Sequence, residues 1–389
     1  MFAYLYGAVS LLFYFLSLPV ILYKQRYPRY KARIPARYFL KDNPKFSKST
    51  IWFHACSLGE TRGLQPIIDR IDTDVNISTV SNTGFQEATR ITQGEVRYLP
   101  FEIFLPFWTT PQKLLIVTES EYWYFLFLFA KKRGAKTMLV NARISDTHYS
   151  RYRKLRWFYK KVFEQIDIIF AQSMKDKERL ESLGGKNIHI TGNTKLVNVP
   201  NVTHTIPKPA GRVIVAASTH EEEEALILDA WKREQGRLVI VPRHPERFDA
   251  VDALIQDHIG QTALSYHRYS VHRSLDADIV LMDSMGELVN IYAVSDVVIL
   301  GGSFVDGIGG HNPIEPAYFG NILITGELIY NEISIYASLE NYYVVKRKEL
   351  SEILENLDDL KACSIVQSGD IEPILRYIDQ EVYGGKYVN

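Results

Sequence analysis

Short apolar runs alternate with helical patterns along most of this chain, and that alternation restricts the fold more than any other feature. The candidate strands before residue 197 are Ile51–Ala55, Asn76–Val80, Leu114–Val117, Thr137–Val140, Ile166–Ala171 and Ile188–Thr191. The segments between them have amphipathic or aromatic helical patterns, as in Glu121–Lys132, Arg151–Phe163 and Met174–Leu183. Strands joined by single helices form parallel sheets through right-handed crossovers, so the chain is predicted to be an α/β protein.

A proline-rich segment, residues 197–211, interrupts this alternation and is predicted to be a linker, because it holds three prolines in fifteen residues. Strands then resume at Val213–Ala217, Leu238–Val241, Ile279–Met282, Val297–Leu300 and Ile322–Thr325. We therefore expect two Rossmann-like domains, residues 49–196 and 212–389, that face each other across a cleft. Ligands of open parallel sheets bind beyond the carboxyl ends of the strands, so binding residues are expected in the loops that follow strands.

The N-terminal segment from Phe2 to Tyr23 contains 22 residues without Asp, Glu, Lys, Arg or His. A helix of that length spans the ~30 Å hydrocarbon core of a bilayer. A cleavable signal peptide carries charge before its apolar region, whereas here the charges follow. We predict that residues 1–23 form a single transmembrane anchor. The alternative is an apolar helix docked on the globular body.

Charge is distributed unevenly along the chain. The whole sequence has 45 basic and 45 acidic side chains, but residues 1–41 hold seven Lys or Arg and no acid. The positive-inside rule places such a basic juxtamembrane segment, here residues 24–48, in the cytoplasm together with the body. An apolar content of 46% and a neutral sum exclude a disordered polyelectrolyte. Two cysteines, Cys56 and Cys363, provide no disulfide framework and fit a reducing compartment.

The segment 301–316 concentrates the features of a ligand site. A predicted strand ends in two glycines, and the sequence GGHNPIEP follows at residues 309–316. Glycines let a ligand approach the backbone, and a helix that begins at Asn312 and Pro313 would offer free amides to an anion. Glu315 could accept hydrogen bonds from ribose hydroxyls. The alternative is a capped helix in which Glu315 only complements the helix dipole.

Other loops of the second half also follow predicted strands. Arg243 suits a phosphate, because a guanidinium group pairs bidentately with phosphate oxygens and stays charged; surface pairing with Glu246 is the alternative. Met285 and its backbone could pack against a nucleotide base, and hydroxyls at the first strand end could hold phosphate or cap a helix. The candidate residues of these loops are Ser218, Thr219, His220, Pro242, Arg243, His244, Met285, Gly286, Glu287 and Leu288.

In the first half, Glu60 follows the opening strand at the start of a predicted helix. A carboxylate at that position could act as the general base for a hydroxyl nucleophile. A role in complementing the helix dipole is the alternative. Further candidates that follow strands of this half are Ser57, Gly59, Asn82, Thr83, Glu119, Arg143 and Ser145.

Two stretches look membrane-facing. Tyr122–Phe129 is too short to span a bilayer and is predicted to be a buried helix or an interfacial patch. Arg151–Lys161 has six cations, four aromatic residues and no acid, which suits anionic lipid headgroups or a phosphorylated ligand, with a solvated helix face as the alternative. Nucleic acid is not expected as a partner, because the body carries a net negative charge.

No P-loop, HExxH, GxSxG or paired CxxC motif occurs, and no metal site or cofactor is predicted. The motifs that do occur form an ordered series. They are HACSLGE at 54–60, NARIS at 141–145, GNTK at 192–195, ASTHE at 217–221, PRHPERF at 242–248, MGEL at 285–288 and GGHNPIEPA at 309–317. Together with the N-terminal apolar segment, this series resembles the 3-deoxy-D-manno-octulosonic acid (Kdo) transferases of Gram-negative bacteria, over residues 1 to about 350.

The resemblance implies a GT-B glycosyltransferase of the inner membrane that needs no metal and moves Kdo from CMP-Kdo to the lipid A precursor, lipid IVA, with inversion. The family's catalytic base falls on Glu60. Donor-binding residues are then Ser218, Thr219, His220, Pro242, Arg243, His244, Met285, Gly286, Glu287, Leu288, Gly310, His311, Asn312 and Glu315. Acceptor-binding residues are Ser57, Gly59, Asn82, Thr83, Glu119, Arg143 and Ser145.

The sequence departs from the family pattern on the acceptor side. The family's ETExWPN segment is TESEYWYFLF here, without the Pro-Asn, and its GNxKFD segment is GNTKLVN. Two other functions remain as alternatives: a GT-B transferase or epimerase that uses a UDP-sugar, and a non-catalytic, membrane-tethered protein that binds a nucleotide sugar.

Overall fold

The computed structural model describes residues 1–197, 200–260, 262–367 and 369–385. The chain divides into two compact units: residues 1–198 together with 368–389, called the first unit, and residues 199–367, called the second unit. Residues 198 and 199 of the predicted linker lie outside the described residues. The rest of the linker has no regular secondary structure.

The first unit is built on a parallel sheet. In its described part, seven strands pair in the order β3-β2-β1-β4-β5-β6-β7. Strands β1, β2 and β4 are buried along their whole length, as expected of central strands covered on both faces. The strands are β1 Ile51–Ala55, β2 Val75–Thr79, β3 Val96–Tyr98, β4 Leu114–Thr118, β5 Lys136–Ala142, β6 Ile168–Ala171 and β7 Ile188–Ile190.

Helices cover both faces of this sheet. Trp52 and Leu115 point to one face and join a core with α7 and α9, whereas Phe53 and Ile116 point to the other face, because successive side chains of a strand alternate. The helices are α1 Phe2–Lys24, α2 Arg33–Phe39, α3 Leu58–Arg62, α4 Gln65–Ile68, α5 Asn82–Ile91, α6 Leu105–Trp108, α7 Tyr124–Lys132, α8 Asp146–Lys154, α9 Arg156–Phe163 and α10 Met174–Ser182.

The second unit repeats this plan. Within its described residues, seven parallel strands follow the order β10-β11-β9-β8-β12-β13-β15, and β14 pairs antiparallel with β16. The strands are β8 Val213–Thr219, β9 Arg237–Pro242, β10 Tyr266–Arg268, β11 Ile279–Leu281, β12 Val297–Leu300, β13 Ile322–Thr325, β14 Leu339–Glu340, β15 Tyr342–Val344 and β16 Ser364–Ile365. The helices are α11 Glu223–Ala230, α12 Phe248–Ile259, α13 Tyr269–His272, α14 Leu288–Tyr292, α15 Ile314–Tyr318, α16 Ile333–Tyr336 and α17 Leu350–Glu355.

The end of the chain belongs to a different unit from the one the sequence predicted. We expected residues 212–389 to form one domain, but residues 368–389 group with the first unit. Helix α18, Glu372–Ile378, buries Ile374 and Ile378 against the same sheet face as Phe53. Arg70 also pairs with Glu372 at 2.8 Å. The apolar stripe of α18 is thus part of the first hydrophobic core.

The strand order reverses direction at one point in each sheet. In the first unit β1 lies between β2 and β4, and in the second unit β8 lies between β9 and β12. Ligands of open α/β sheets bind at such switch points, beyond the carboxyl ends of the two diverging strands. The loops that follow β1, β4, β8 and β12 are therefore where the fold places binding groups.

Two parallel-sheet α/β units confirm the predicted fold class, and the predicted central strands are present within one or two residues. The edge strands β3, β10 and β15 were not predicted, because three-residue, half-exposed strands lack a buried apolar run. The helix predicted at Glu121–Lys132 begins only at Tyr124. The helix predicted at Arg151–Phe163 is two helices that meet at Leu155, whose φ of −105° and ψ of 26° end α8.

The N-terminal apolar segment forms α1, which is long and apolar enough to cross a membrane. One stripe of α1, including Tyr14 and Ile21, is buried. The Phe2 ring lies 4.9 Å from that of Tyr124, and the Tyr14 hydroxyl donates to the Tyr38 carbonyl at 2.8 Å. The opposite face is apolar and exposed. The N-terminal end and the middle of α1 thus contact the rest of the first unit.

Candidate active site

Glu60 lies at the carboxyl end of β1, in the first turn of α3. Ser57 caps this helix: its hydroxyl accepts from the Glu60 amide at 3.3 Å and donates to Glu60 Oε1 at 2.8 Å. The Cys56 amide donates to Glu60 Oε2 at 2.8 Å, and the Thr118 hydroxyl donates to the same oxygen at 3.2 Å. Because three groups hold the carboxylate, it has a fixed orientation at the switch point.

The surroundings of Glu60 change its proton affinity. Burial, followed by the charge of Glu119, raises the pKa of Glu60 above its ordinary value, although the hydrogen bonds from Cys56 and Ser57 act in the opposite direction. A carboxylate with a raised pKa is a stronger base than an ordinary one. This combination of orientation and basicity is what a general base requires.

Glu119 follows β4 and lies on the other side of the switch point. Its Oε1 is 2.6 Å from Lys195 Nζ, and its Oε2 is 3.1 Å from Arg143 Nε. Burial alone would raise the pKa of Glu119, but Lys195 and Arg143 hold it below the ordinary value. Glu119 is therefore an ionised, paired carboxylate, with a chemical role different from that of Glu60.

Backbone strain marks both switch points. Glu119 has a φ of 53° and Ser218, at the end of β8, has a φ of 55°. Left-handed backbone is costly for residues other than glycine and is concentrated at functional sites. These two positions lie in loops where the sequence predicted binding residues.

The other residues predicted as binding residues in the first unit have different surroundings. Asn82 begins α5 and accepts from the Tyr98 hydroxyl at 3.1 Å, and the adjacent Thr83 is exposed. A Cβ atom on Gly59 would lie 4.0 Å from Lys195 Nζ, so the cation is close to the Glu60 helix. Ser145 caps α8 through the His148 amide. That hydrogen bond gives Ser145 a structural role, and its assignment to acceptor binding stays a prediction.

In the second unit, a buried carboxylate fixes the glycine loop that follows β12. Glu223 accepts from the amides of Gly302 at 2.8 Å and Phe304 at 3.0 Å. The amide of His220 donates to the same side chain at 3.0 Å. Glu223 thus joins the loop after β8 to the loop after β12. The sequence did not single out Glu223, because two of its partners, Gly302 and Phe304, are about eighty residues away.

Three histidines converge on these loops. The Nε2 atoms of His220 and His311 are 2.8 Å apart, and the His244 ring lies 5.5 Å from that of His220. Burial, assisted by His220 and Arg243, lowers the pKa of His311 to about 4. Burial also lowers the pKa of His220. At neutral pH the pair is therefore uncharged, so one Nε2 donates and the other accepts.

Arginines border the same region. Arg243 is exposed, and its amide donates to the Thr219 carbonyl at 3.0 Å, which fixes the loop after β9 beside β8. Arg247 was only part of a predicted motif, yet it binds the buried Glu224 through both Nη atoms, at 2.7 and 3.2 Å. Within the described residues Arg243 forms no ion pair with a carboxylate, and the alternative of surface pairing with Glu246 is not observed for it. Its guanidinium can therefore face an anion.

The residues predicted to hold a nucleoside lie on, or directly before, the two short helices α14 and α15. Met285 and Gly286 are exposed before α14, and Gly286 has a φ of 84°. Glu287 is hydrogen-bonded by Asn290 Nδ2 at 2.8 Å, and Leu288 begins the helix. Glu315 lies in α15. Burial, followed by the charge of Glu315, raises the pKa of Tyr292 in α14.

The helix expected to begin at Asn312 and Pro313 is short and starts later than predicted. Helix α15 has five residues and begins at Ile314, and Asn312 Oδ1 already accepts from the Ile314 amide at 3.1 Å. One of the amides predicted to be free is thus already occupied, and binding of an anion by the others stays a prediction. Among the glycines before this helix, Gly310 has a φ of 85°, and its amide donates to the Gly302 carbonyl at 2.8 Å. Its predicted role in ligand binding stays a prediction.

A cavity of about 680 Å³ opens beside His220 in the second unit. The glycine loop contributes Ser303 and Phe304 to its wall. Charged residues of both signs complete the lining, and they are Arg247, Lys346, Arg347, Glu221, Glu222, Asp306 and Glu327. Of all the residues that line this cavity, only His220 was predicted as a binding residue, because tertiary structure brings the others together.

Comparison with known proteins assigns the family. A profile described as 3-deoxy-D-manno-octulosonic-acid transferase (kdotransferase) matches residues 24–198. The 3-deoxy-D-manno-octulosonic acid transferase of Haemophilus influenzae is 32% identical over 344 residues, which cover 80% of this chain and 79% of that protein. The chain belongs to the 3-deoxy-D-manno-octulosonic acid transferase family. The resemblance recognised in the sequence is thus confirmed.

Two further proteins are similar to this member of the Kdo transferase family. A bifunctional glycosyltransferase/methyltransferase of Fusobacterium nucleatum is 29% identical over 82% of this chain, and the chain spans about half, 52%, of that longer protein. A crystal structure of UDP-N-acetylglucosamine 2-epimerase is 13% identical, with a TM-score of 0.50, over 89% of this chain and 98% of that chain. That likeness concerns the fold alone.

Proposed function

We propose that this protein is an inverting glycosyltransferase that moves Kdo from CMP-Kdo to the phosphorylated disaccharide precursor of lipid A, lipid IVA, in lipopolysaccharide synthesis. Membership of the Kdo transferase family supports Kdo as the transferred sugar. The observation that carries the mechanism is Glu60, a carboxylate of raised pKa held by three hydrogen bonds at the first switch point.

Glu60 is the general base in this proposal. It accepts the proton of the acceptor hydroxyl, and the resulting oxygen nucleophile forms a bond to the anomeric carbon of Kdo. The bond from that carbon to the phosphate oxygen breaks at the same time on the opposite face, and CMP leaves with the electron pair. A single displacement of this kind inverts the anomeric centre. No metal or cofactor is needed to balance the step.

Residues of the second unit would hold the donor. Arg243 supplies a permanent charge for the departing phosphate. The uncharged His220–His311 pair offers one N–H donor and one acceptor without adding charge. Met285 would contact the base and Glu315 the ribose hydroxyls, as the family resemblance implies.

The Kdo group itself would occupy the 680 Å³ cavity beside His220. Kdo carries a carboxylate and several hydroxyls, and the cavity has charged side chains of both signs. Lys346 and Arg347 would bind the carboxylate, while the acidic side chains would accept hydrogen bonds from hydroxyls. A cavity with cations alone would suit a phosphate better than a sugar acid.

The first unit offers cations for a phosphorylated acceptor. Lys195 and Arg143 flank Glu119 near Glu60. A second cavity, of about 350 Å³, is lined by Lys31, Lys41 and Arg97 together with Tyr98, which binds Asn82. These cations favour the binding of a ligand with separated negative charges, such as a disaccharide with more than one phosphate.

Ligand stabilisation separates this proposal from a UDP-sugar enzyme. A ligand at 100 times its Kd stabilises the folded state by about 2.7 kcal/mol. We expect CMP to raise the melting temperature of the full chain and UDP to leave it unchanged. The Arg243→Ala variant should show a smaller CMP effect at the same concentration. Stabilisation by UDP and none by CMP would favour the UDP-sugar alternative.

We further propose that α1 attaches the protein to the inner membrane with the body in the cytoplasm. The exposed face of α1 is rich in large apolar side chains, among them Tyr4, Leu5, Leu12, Phe13 and Leu16, each at least 58% exposed. The predicted crossing of the bilayer stays a prediction. Contacts of Phe2 and Tyr14 with the body favour a helix that lies along the membrane surface.

Protease access to an N-terminal epitope tag distinguishes the two arrangements. In inverted inner-membrane vesicles the cytoplasmic face is outside. A helix along the membrane surface leaves the tag outside, so protease is expected to remove it. A helix that crosses the bilayer carries the tag into the vesicle lumen, and a protected tag would overturn the surface arrangement. A C-terminal tag is the control, because protease should remove it in both cases.

A further inference from the structure

A cluster of three metal-binding side chains lies beside Glu60. His54 is in β1, Cys56 follows β1, and Glu121 lies between β4 and α7. One ligand atom from each residue lies within 4.8 Å of the other two. We propose that His54, Cys56 and Glu121 form a binding site for a thiophilic divalent cation of the Zn²⁺ type, and that an ion bound there inhibits the enzyme.

The separation of the His54 and Cys56 ligand atoms fits such an ion. Zn²⁺ binds Cys sulfur at ~2.3 Å and His nitrogen at ~2.0–2.1 Å in a tetrahedral arrangement, which puts the two ligand atoms ~3.6 Å apart. Cys56 Sγ lies 3.5 Å from His54 Nε2. The histidine and the cysteine therefore already have the separation that a shared cation requires. Three protein ligands leave the fourth position of the ion open to water or another ligand.

The outer hydrogen bonds orient the ligands. His54 Nδ1 lies 3.0 Å from the Ser78 carbonyl oxygen, so the proton of the neutral ring belongs on Nδ1. The lone pair of Nε2 then faces Cys56 Sγ. Trp123 Nε1 donates to Glu121 Oε2 at 2.6 Å. A histidine that donates its other N–H to a carbonyl, and a carboxylate held by a donor, are typical of metal ligands.

An ion can reach this site. His54 is fully buried, whereas Cys56 and Glu121 are half-buried and form the exposed side of the site. The carboxylates of Glu60 and Glu119 lie nearby, and Arg37, Lys195 and Arg143 supply balancing positive charge. The site therefore depends on the type and spacing of its ligand atoms, and not on a net negative field.

The inhibitory part rests on the proposed role of Glu60. The Cys56 amide holds Glu60 Oε2 at 2.8 Å, so an ion bound to the Cys56 thiolate lies next to the base. A cation at that position attracts the carboxylate oxygens of Glu60, which the acceptor hydroxyl needs as its hydrogen-bond acceptor. An occupied site therefore competes with the acceptor hydroxyl for Glu60, and the reaction itself proceeds without the ion.

Cobalt spectroscopy on the full chain tests binding directly. Co²⁺ titrated into EDTA-treated protein is expected to give a thiolate-to-cobalt charge-transfer band in the near ultraviolet, at one ion per chain, and Zn²⁺ should displace it. Cys56→Ser should abolish the band. Cys363→Ser is the matched control and should keep it, because Cys363 is buried in the second unit. Glu121→Gln should weaken binding at least about 10-fold, since even changes in outer partners cost ~10–100-fold.

Two results would overturn the site: no band in the unaltered chain, or the same band in Cys56→Ser. Inhibition is a separate measurement. Zn²⁺ should slow sugar transfer reversibly in the unaltered chain and in Cys363→Ser, and leave the rate of Cys56→Ser at its own metal-free value. Cobalt binding without inhibition by Zn²⁺ would overturn the link to Glu60. Absence of the band with an active, Glu60-dependent enzyme would contradict the metal site and leave the proposed function intact.

Discussion

Replacement of Glu60 by Gln is expected to lower kcat of Kdo transfer by about 10²–10⁴-fold, the usual contribution of a general base. Gln keeps the size of the side chain and can still accept from the Cys56 amide, so α3 should remain folded. It cannot take a proton from the acceptor hydroxyl. CMP affinity should stay unchanged, because the predicted donor residues belong to the second unit. Steady-state kinetics and CMP titration of the same preparation measure both quantities.

The pH dependence of the rate gives a second test of Glu60. Glu60 must be ionised to act as a base, and its pKa is raised, mainly by burial. The rate should therefore fall as pH decreases through that raised pKa, at a higher pH than an ordinary glutamate would give. The Gln variant should lack this acidic limb. Glu178→Gln, an exposed change on α10, is the control and should behave as the unaltered chain does. Near-normal turnover by Glu60→Gln would remove the proposed base.

Replacement of Glu223 by Ala should have the second large effect, on donor binding and stability. Three amides lose their acceptor, those of His220, Gly302 and Phe304. A buried donor left without a partner costs about 1–3 kcal/mol, and water from the adjoining cavity recovers part of this. We expect the free energy of unfolding to fall by about 3 kcal/mol and CMP-Kdo to bind at least about 10-fold more weakly, because the glycine loop loses its support.

Denaturant unfolding and donor titration check the two effects of Glu223→Ala. Glu234→Ala is the matched control, because Glu234 is an exposed glutamate of the same unit. It should change neither quantity. If Glu223→Ala bound the donor normally, the glycine loop would not depend on this carboxylate, and the account of how the donor site is held would be wrong.

The sequence predicted the central strands and the loops that follow them, because buried apolar runs and glycine-rich ends are local features. Glu60 was recognisable for the same reason: it follows β1 and begins a helix. Glu223 was not, because an acid in the first turn of a helix is ordinary, and its partners Gly302 and Phe304 are distant in the chain. Lys195 was likewise only one letter of a motif until the fold brought it to Glu119.

Errors in the sequence predictions also have physical causes. Asn312 has the right chemistry for a helix cap, and it does bind the Ile314 amide, but the helix that follows has only five residues. Local patterns identify where a helix starts better than how far it extends. The return of α18 to the first unit depends on which core accepts Ile374 and Ile378, and a helix pattern alone does not specify that core.

The most direct test of the central claim is the mass of the reaction product. The full chain, incubated with CMP-Kdo and lipid IVA, should release CMP and give a product heavier than the acceptor by one or more Kdo units. The Glu60→Gln variant should give this product only at a rate about 10²–10⁴-fold lower. An acceptor whose mass does not change with CMP-Kdo but does change with a UDP-sugar would contradict the assignment.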